Sequence, residues 1–396
     1  MQLNRNILSL HNRNNEKHLT MKKIQMVDLK TQYNNIKPEI DAAIKDVIEN
    51  TAFINGEQVG SFSQNLSSYM GAKHVITCGN GTDALQIALM ALNLKSSDEI
   101  IVPAFTFIAS AEVIGLLGFR PVMVDVDYES FNATAKNIEK AITINTKAII
   151  PVHLFGQGCE MEAIMDIAKK YDLFVIEDNA QAIGADYKFS NGKIQKLGTI
   201  GHIGCTSFFP SKNLGCYGDG GAIFTNDDQL AGKIRMICNH GMKIRYHHQV
   251  LGVNSRLDTI QAAILDVKLK YLDKYCKLRY EAATKYSYAF KDTKGLITPK
   301  ESSFSTHAYH QYTLKVLDGR RDELKDYLEK NGVPAMVYYP IPLHKQEAFL
   351  QIANQNGDMS ISDQLSNEVL SLPMHTELDY KTIAYIISKV LQFFNK

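Results

Sequence analysis

Between residues 74 and 225 the chain repeats one theme. A short Val- and Ile-rich run comes first, then a turn residue, then a stretch with apolar side chains at helical spacing. The runs are HVITC (74–78), EIIVP (99–103), PVMVDV (121–126), KAIIPV (147–152), LFVIED (173–178), IGCTSFF (203–209) and GAIFT (221–225). Runs of this length, bounded by Gly, Pro, Asp or Asn, predict strands buried on both faces. The segments between them, 83–94 and 161–171 among others, predict helices. Strand and helix in alternation imply an α/β fold, a mostly parallel sheet with helices over both faces. Seven runs predict one large seven-stranded sheet rather than a barrel of eight units.

After residue 258 the texture changes. Residues 258–290 are amphipathic and free of Pro and Gly, which predicts one long helix. A turn-rich stretch follows, then a strand at 311–317, a helix at 321–331, a Pro-bounded loop at 338–342 and a terminal helix at 380–394. This reads as a second, smaller α+β domain. The chain thus divides into a tail (1–20), a large domain (21–270) and a small C-terminal domain (271–396). The tail is Asn-rich with few apolar residues, and its composition predicts disorder. It lacks the apolar core of a signal peptide.

Composition removes several classes. The 43 basic and 42 acidic side chains leave a net charge of +1, which argues against a general nucleic-acid binder. No apolar run reaches the length of a membrane span. Cys78, Cys159, Cys205, Cys216, Cys238 and Cys276 show no metal-ligand spacing and read as reduced thiols of a cytoplasmic protein.

Three motifs carry chemistry. Gly79-Asn80-Gly81-Thr82-Asp83 sits between a strand and a helix, where free N–H groups and the helix dipole favour an anion. It lacks the lysine of a Walker loop. Glu177-Asp178-Asn179-Ala180-Gln181 ends an apolar strand, and ligands of open α/β sheets bind beyond the carboxyl ends of strands. A carboxylate there suits a cationic ligand nitrogen. Ser207-Phe208-Phe209-Pro210-Ser211-Lys212 precedes four glycines within residues 215–221, which leave room for something flat. A partly buried lysine has a lowered pKa and suits Schiff-base chemistry. Phosphate anchor, carboxylate and Schiff-base lysine together meet the needs of pyridoxal 5′-phosphate, with the aromatic Phe107 available to stack on its ring.

These motifs resemble the DegT/DnrJ/EryC1/StrS family of sugar-nucleotide aminotransferases, which have the fold-type I pyridoxal-phosphate architecture. GNGTDAL, PAFTF, IEDNAQ, TSFFPSKNLGCYGDGGAI, GVNSRLD and YYPIPLH carry the resemblance, which covers about residues 24–396. Within the family, residues 245–265, the lysine loop and SLPMH (371–375) most resemble the aminotransferases acting on UDP-2-acetamido-2-deoxy-3-oxo-glucuronate. The resemblance implies that Lys212 holds the cofactor as a Schiff base and that Asp178 pairs with the pyridine nitrogen. Gln181 would bond the ring hydroxyl, and Gly81, Thr82 and Ser207 the phosphate. Asn254 of the partner subunit would complete the phosphate site, and Arg256 of the partner subunit would meet the substrate carboxylate. The implied protein is a homodimer with shared sites, passing through pyridoxamine 5′-phosphate with L-glutamate as donor. Its acceptor would be a nucleotide sugar destined for cell-surface polysaccharide such as lipopolysaccharide O-antigen. A dTDP-3-keto-6-deoxyhexose or a 4-keto sugar nucleotide is the alternative acceptor.

Two positions depart from the family pattern. Tyr338 stands where close relatives often have His near the sugar nucleotide, and Tyr cannot become cationic near neutral pH. Asn179 stands where Ala or Cys is usual. Arg245 and His153 are further candidates for substrate contact. His247 and His248 are adjacent and so do not share a helix face, and no metal site is expected.

Overall fold

The computed structural model describes residues 23–355 and 357–395; the tail at 1–20 lies outside them. All seven apolar runs form strands of one sheet. The order is His74–Cys78, Gly221–Thr225, Ile203–Ser207, Phe174–Asp178, Thr146–Ile149, Glu99–Pro103, Arg120–Val124 and Asn354–Gln355. Gly221–Thr225 runs antiparallel to both its neighbours, and every other neighbouring pair is parallel. Glu99–Pro103 and Gly221–Thr225 are buried at every position, as strands covered on both faces must be. Ile100 and Val102 are wholly enclosed; burying each such side chain stabilises by about 1.5–3 kcal/mol.

The eighth strand, Asn354–Gln355, was not expected. It pairs with Val122 and Met123 at the sheet edge. Two exposed polar residues carry no apolar periodicity, so only the tertiary fold reveals them.

Local chemistry sets the helix ends. Asn80, Thr134, Asp227 and Asp379 accept backbone N–H bonds as N-caps, each satisfying a donor that the first helical turn leaves open. The helices Met161–Tyr171 and Tyr380–Phe394 match the expected ranges. The long helix expected at 258–290 is two helices, Thr259–Leu269 and Leu272–Phe290. The far ends of the two helices serve different cores. Ala262 and Leu265 pack with Phe62 and Leu66 beneath the large sheet. Tyr286 and Phe290 pack with Tyr312, Leu314, Ile386 and Val390. One straight axis cannot face both clusters, and the break falls at Lys270–Tyr271. The second cluster covers a three-stranded antiparallel sheet of Leu296–Ile297, Tyr312–Val316 and Val369–Leu372. Among the described residues, no helix is long and apolar enough to cross a membrane.

Candidate active site

The carboxyl ends of the parallel strands gather the three sequence motifs. Residues 79–83 follow His74–Cys78, Asp178 ends Phe174–Asp178, and Ser207 ends Ile203–Ser207. They surround a cavity of about 670 Å³.

The turn at 79–82 opens the helix Gly81–Ala91. Asn80 Oδ1 accepts the Asp83 N–H at 2.8 Å, while the Gly81 and Thr82 amides have no partner among the described residues. Helix-terminal donors left open at a cavity make an anion site. Glycine at 81 is required by close approach, since a Cβ there would lie 2.6 Å from the Ser207 Cβ. The Ser207 hydroxyl thereby borders the same open donors, and Gly81, Thr82 and Ser207 all line the cavity.

Asp178 is 5% exposed and its position is closely determined. Its N–H donates to Pro151 O at 2.9 Å and its carbonyl accepts from His153 N at 3.1 Å. Its carboxylate accepts from Ser110 Oγ at 2.7 Å and from Ala180 N at 3.1 Å. Gln181 is oriented from both ends: Oε1 accepts the Phe155 N–H at 2.7 Å and Nε2 donates to the Tyr339 hydroxyl at 3.1 Å. The Phe107 ring is 52% exposed and borders the cavity, 6.0 Å from the Tyr339 ring.

Lys212 sits in a tight loop. Its N–H donates to Phe209 O, Cys216 N to Phe208 O and Asn213 Nδ2 to Ala308 O, all at 2.8 Å. None of the four glycines after it lines the cavity; Gly215 and Gly221 instead let backbone segments approach one another, which corrects the expectation from sequence. A Cβ at Gly215 would lie 2.4 Å from Pro210 O, and one at Gly221 would lie 2.4 Å from Asn80 O. Burial lowers the Lys212 amine to about 8, with Asp178 opposing the shift. An amine near 8 keeps an appreciable uncharged fraction near neutral pH, where an ordinary lysine keeps almost none, and the uncharged form is the nucleophile.

The expected site residues separate into two groups. Gly81, Thr82, Phe107, Asp178, Gln181, Ser207, Lys212 and Tyr338 line the cavity. Arg245, Asn254, Arg256 and His153 do not. Arg245 lies exposed at the turn of the hairpin 242–248, over the Tyr246 ring. Asn254 is exposed, and Arg256 borders a separate small cavity. His153 has no exposed surface. Its Nδ1 accepts the Cys159 N–H at 3.2 Å, so Nε2 is the nitrogen that donates to Glu177 Oε2, at 2.9 Å. Glu177 also takes the N–H groups of Gly198, Ile200 and Gly201, which makes this pair an internal tie.

Sequence reasoning missed Thr106, His310 and Gln311, which also line the cavity. Thr106 Oγ1, His310 Nδ1 and Gln311 Oε1 are buried without a partner among the described residues. Buried polar atoms are nearly always satisfied, so orphans around one cavity mark a place built for a polar ligand. His310 is held neutral by burial and by the nearby Lys212 and Arg279 cations. Arg279 in turn fixes that segment, donating from Nη1 to the carbonyls of Tyr309, His310 and Met374 at 3.0–3.2 Å. Among the described residues, no cluster of His, Cys, Asp or Glu is placed to hold a metal ion.

The residues fit pyridoxal phosphate: open helix-terminal donors for a phosphate, a buried carboxylate, an exposed aromatic face and an amine of lowered pKa. On a mostly parallel sheet, at its carboxyl edge, they define a fold-type I pyridoxal-phosphate-dependent aminotransferase. The chain belongs to the DegT/DnrJ/EryC1/StrS aminotransferase family, which it matches over residues 34–391. It is 47% identical to the UDP-2-acetamido-2-deoxy-3-oxo-D-glucuronate aminotransferase of Pseudomonas aeruginosa, over 92% of this chain and 98% of that protein. It is 46% identical to a protein of Geobacillus stearothermophilus named a pleiotropic regulatory protein, over 94% and 98%. It is 43% identical to the UDP-N-acetyl-3-dehydro-α-D-glucosamine 3-aminotransferase of Acidithiobacillus ferrooxidans, over 93% and 97%. A Brucella abortus aminotransferase of the same family superposes with a TM-score of 0.90 at 40% identity, covering 94% of this chain and all of that one. The NtdA protein of Bacillus subtilis, solved with bound pyridoxamine phosphate, superposes with a TM-score of 0.87 at 29% identity, covering 97% and 88%.

Proposed function

We propose that the chain moves an amino group from L-glutamate to the 3-keto group of UDP-2-acetamido-2-deoxy-3-oxo-glucuronate. It acts in the cytoplasm, and the 3-amino sugar feeds cell-surface polysaccharide such as lipopolysaccharide O-antigen. The observation that carries this reading is the identity to the Pseudomonas enzyme over nearly the whole of both chains. The Acidithiobacillus relative, named for a 3-dehydro sugar on UDP, supports the same ring position.

Bound pyridoxal phosphate supplies the electron sink that lets a proton leave the carbon bearing the amine. The chain supplies the rest. Gly81, Thr82 and Ser207 hold the phosphate, Asp178 meets the ring nitrogen, Gln181 the ring hydroxyl, and Phe107 covers the ring face. Lys212 Nζ takes the α-proton of the amino donor and later delivers a proton to C3 of the sugar. One amine is thus base and acid in turn.

Charge supports a shared site. Among the described residues lining the cavity, Lys212 is the sole lysine or arginine, against Asp83, Asp178 and Asp219. A diphosphate and two carboxylic substrates need more cations than one chain brings. In this reading the partner subunit's Arg256 supplies a cation and the partner subunit's Asn254 a neutral hydrogen-bond donor, with Arg245 nearby, and the protein is a homodimer. Residues 21–270 form the cofactor domain and 271–396 the smaller one.

One observation favours the alternative acceptor. Tyr338 lines the cavity and burial raises its pKa, so it stays uncharged and suits a neutral 6-deoxy sugar on dTDP or a 4-keto sugar nucleotide. A panel of keto-sugar nucleotides assayed with glutamate, with product masses measured, separates these readings. Arg256→Leu should slow a uronate far more than a 6-deoxy sugar; equal losses would remove the uronate. A protein that only regulates, as the Geobacillus relative's name suggests, would give no half-reaction with any amino acid.

A further inference from the structure

We infer that Ser110 is a positioning residue, holding the Asp178 carboxylate in the orientation in which it faces the cofactor ring. The inference rests on the reading that pyridoxal phosphate occupies this cavity.

The Asp178 backbone is pinned on both sides, through its N–H to Pro151 O and through its carbonyl to His153 N. What remains free is rotation of the side chain. Ser110 Oγ donates to Oδ2 at 2.7 Å, and Ala180 N donates to Oδ1 at 3.1 Å. A carboxylate offers about four lone-pair sites, so these two donors, one on each oxygen, fix its plane and leave two sites open. Asp178 lines the cavity and Ser110 does not. The open sites are therefore the ones a ring N–H can reach.

Ser110 is 1% exposed, and among the described residues its hydroxyl has no other hydrogen-bond partner. It sits in the first turn of the helix Ala109–Leu116. The turn leading into that helix carries Phe107, whose ring borders the same cavity. One short segment thus sets both the aromatic face and the back of the carboxylate. An ionised carboxylate only accepts, so the serine must donate, and alanine at 110 leaves Oδ2 without its partner.

The test uses holoenzyme of the wild type, Ser110→Ala, Asp178→Asn and the double variant. Cofactor affinity is read from loss of visible absorbance on dilution, and the glutamate half-reaction by stopped flow. Ser110→Ala should still unfold cooperatively as apo protein and keep borohydride-trappable cofactor on Lys212. It should release cofactor about tenfold more readily and slow the half-reaction by about tenfold or more, beyond any general loss of stability, which Ser110→Thr controls for. In the Asp178→Asn background the same change should cost less than about twofold, because Ser110 acts through Asp178. Ser110→Thr, which keeps the hydroxyl, should recover much of the affinity. Full affinity and rate in Ser110→Ala, or equal losses in both backgrounds, would overturn the inference. A wild type with no trappable cofactor on Lys212 would instead overturn the reading beneath it.

Discussion

Ser255 Oγ donates to Asp83 Oδ2 at 2.6 Å while accepting the Gly79 N–H at 2.8 Å. One hydroxyl thus ties the anion turn of the chain's own cavity to the segment that carries Asn254 and Arg256. Ser255→Ala leaves the Gly79 amide and one Asp83 oxygen without this partner in a part-buried place. The expected loss is about 1–2 kcal/mol of stability, read from the denaturant midpoint. Phosphate affinity should fall with it, since the turn at 79–82 is no longer braced. An unchanged midpoint would show that water replaces the hydroxyl at no cost.

The lowered Lys212 amine gives a pH prediction. Mixing apo protein with pyridoxal phosphate should produce visible absorbance at a rate that rises with pH and levels off with a midpoint near 8, not near the ordinary 10.5 of lysine. The stability consequence has the same sign. Between about 8 and 10.5 the unfolded chain binds more protons at this position than the native one, so the Lys212 contribution to apo stability rises with pH across that window. Lys268 and Lys315 are also lowered to about 8 by burial, so the Lys212 share is the difference between wild type and Lys212→Ala. A rate midpoint near 10 would refute the depressed amine.

Asn179 is a mismatch between sequence and site. Both polar atoms of its side chain are buried without partners among the described residues, and a Cβ at Gly198 would lie 2.7 Å from its Nδ2. Each unsatisfied buried group costs about 1–3 kcal/mol, so Asn179→Ala should raise stability by about 1 kcal/mol with glutamate turnover unchanged. Equilibrium denaturation of the two proteins measures it. A destabilised variant would mean that the amide is satisfied in solution.

How much was legible in the sequence follows from which signals are local. Buried parallel strands need continuous apolar runs, so all seven appeared in the chain itself. Gly81, Asp178, Ser207 and Lys212 follow such strands within a few residues, and strand ends are where α/β ligands sit. The edge strand Asn354–Gln355 is polar and short, and no periodicity marks it. The break at Lys270–Tyr271 depends on two cores lying in different directions, which a helical pattern does not encode. His153 also looked like a site residue because it follows a strand. Whether such a histidine faces the cavity or Glu177 depends on a residue 24 positions away. His310 and Ser110 gave no motif at all, and Thr106 lay inside PAFTF without standing out from it. Their roles come from where the fold carries ordinary polar residues.

The separation of Lys212 from Arg256 makes the dimer testable without a structure of it. Lys212 lines the cavity, whereas Arg256 of the same chain borders a different one beside Asn55 and Arg235. If each site takes its lysine from one copy and its arginine from the other, Lys212→Ala and Arg256→Ala each disable every site in their own homodimers. Mixing them after reversible dissociation creates heterodimers in which one site has both defects and the other has neither. Random pairing of equal amounts makes half the dimers hybrid, with one of two sites intact, so activity should recover to about a quarter of wild type. Recovery should depend on exchange of subunits and vanish when each variant is cross-linked beforehand. A mixture no more active than its parts would place Lys212 and Arg256 in the same chain's site and remove the shared-site reading.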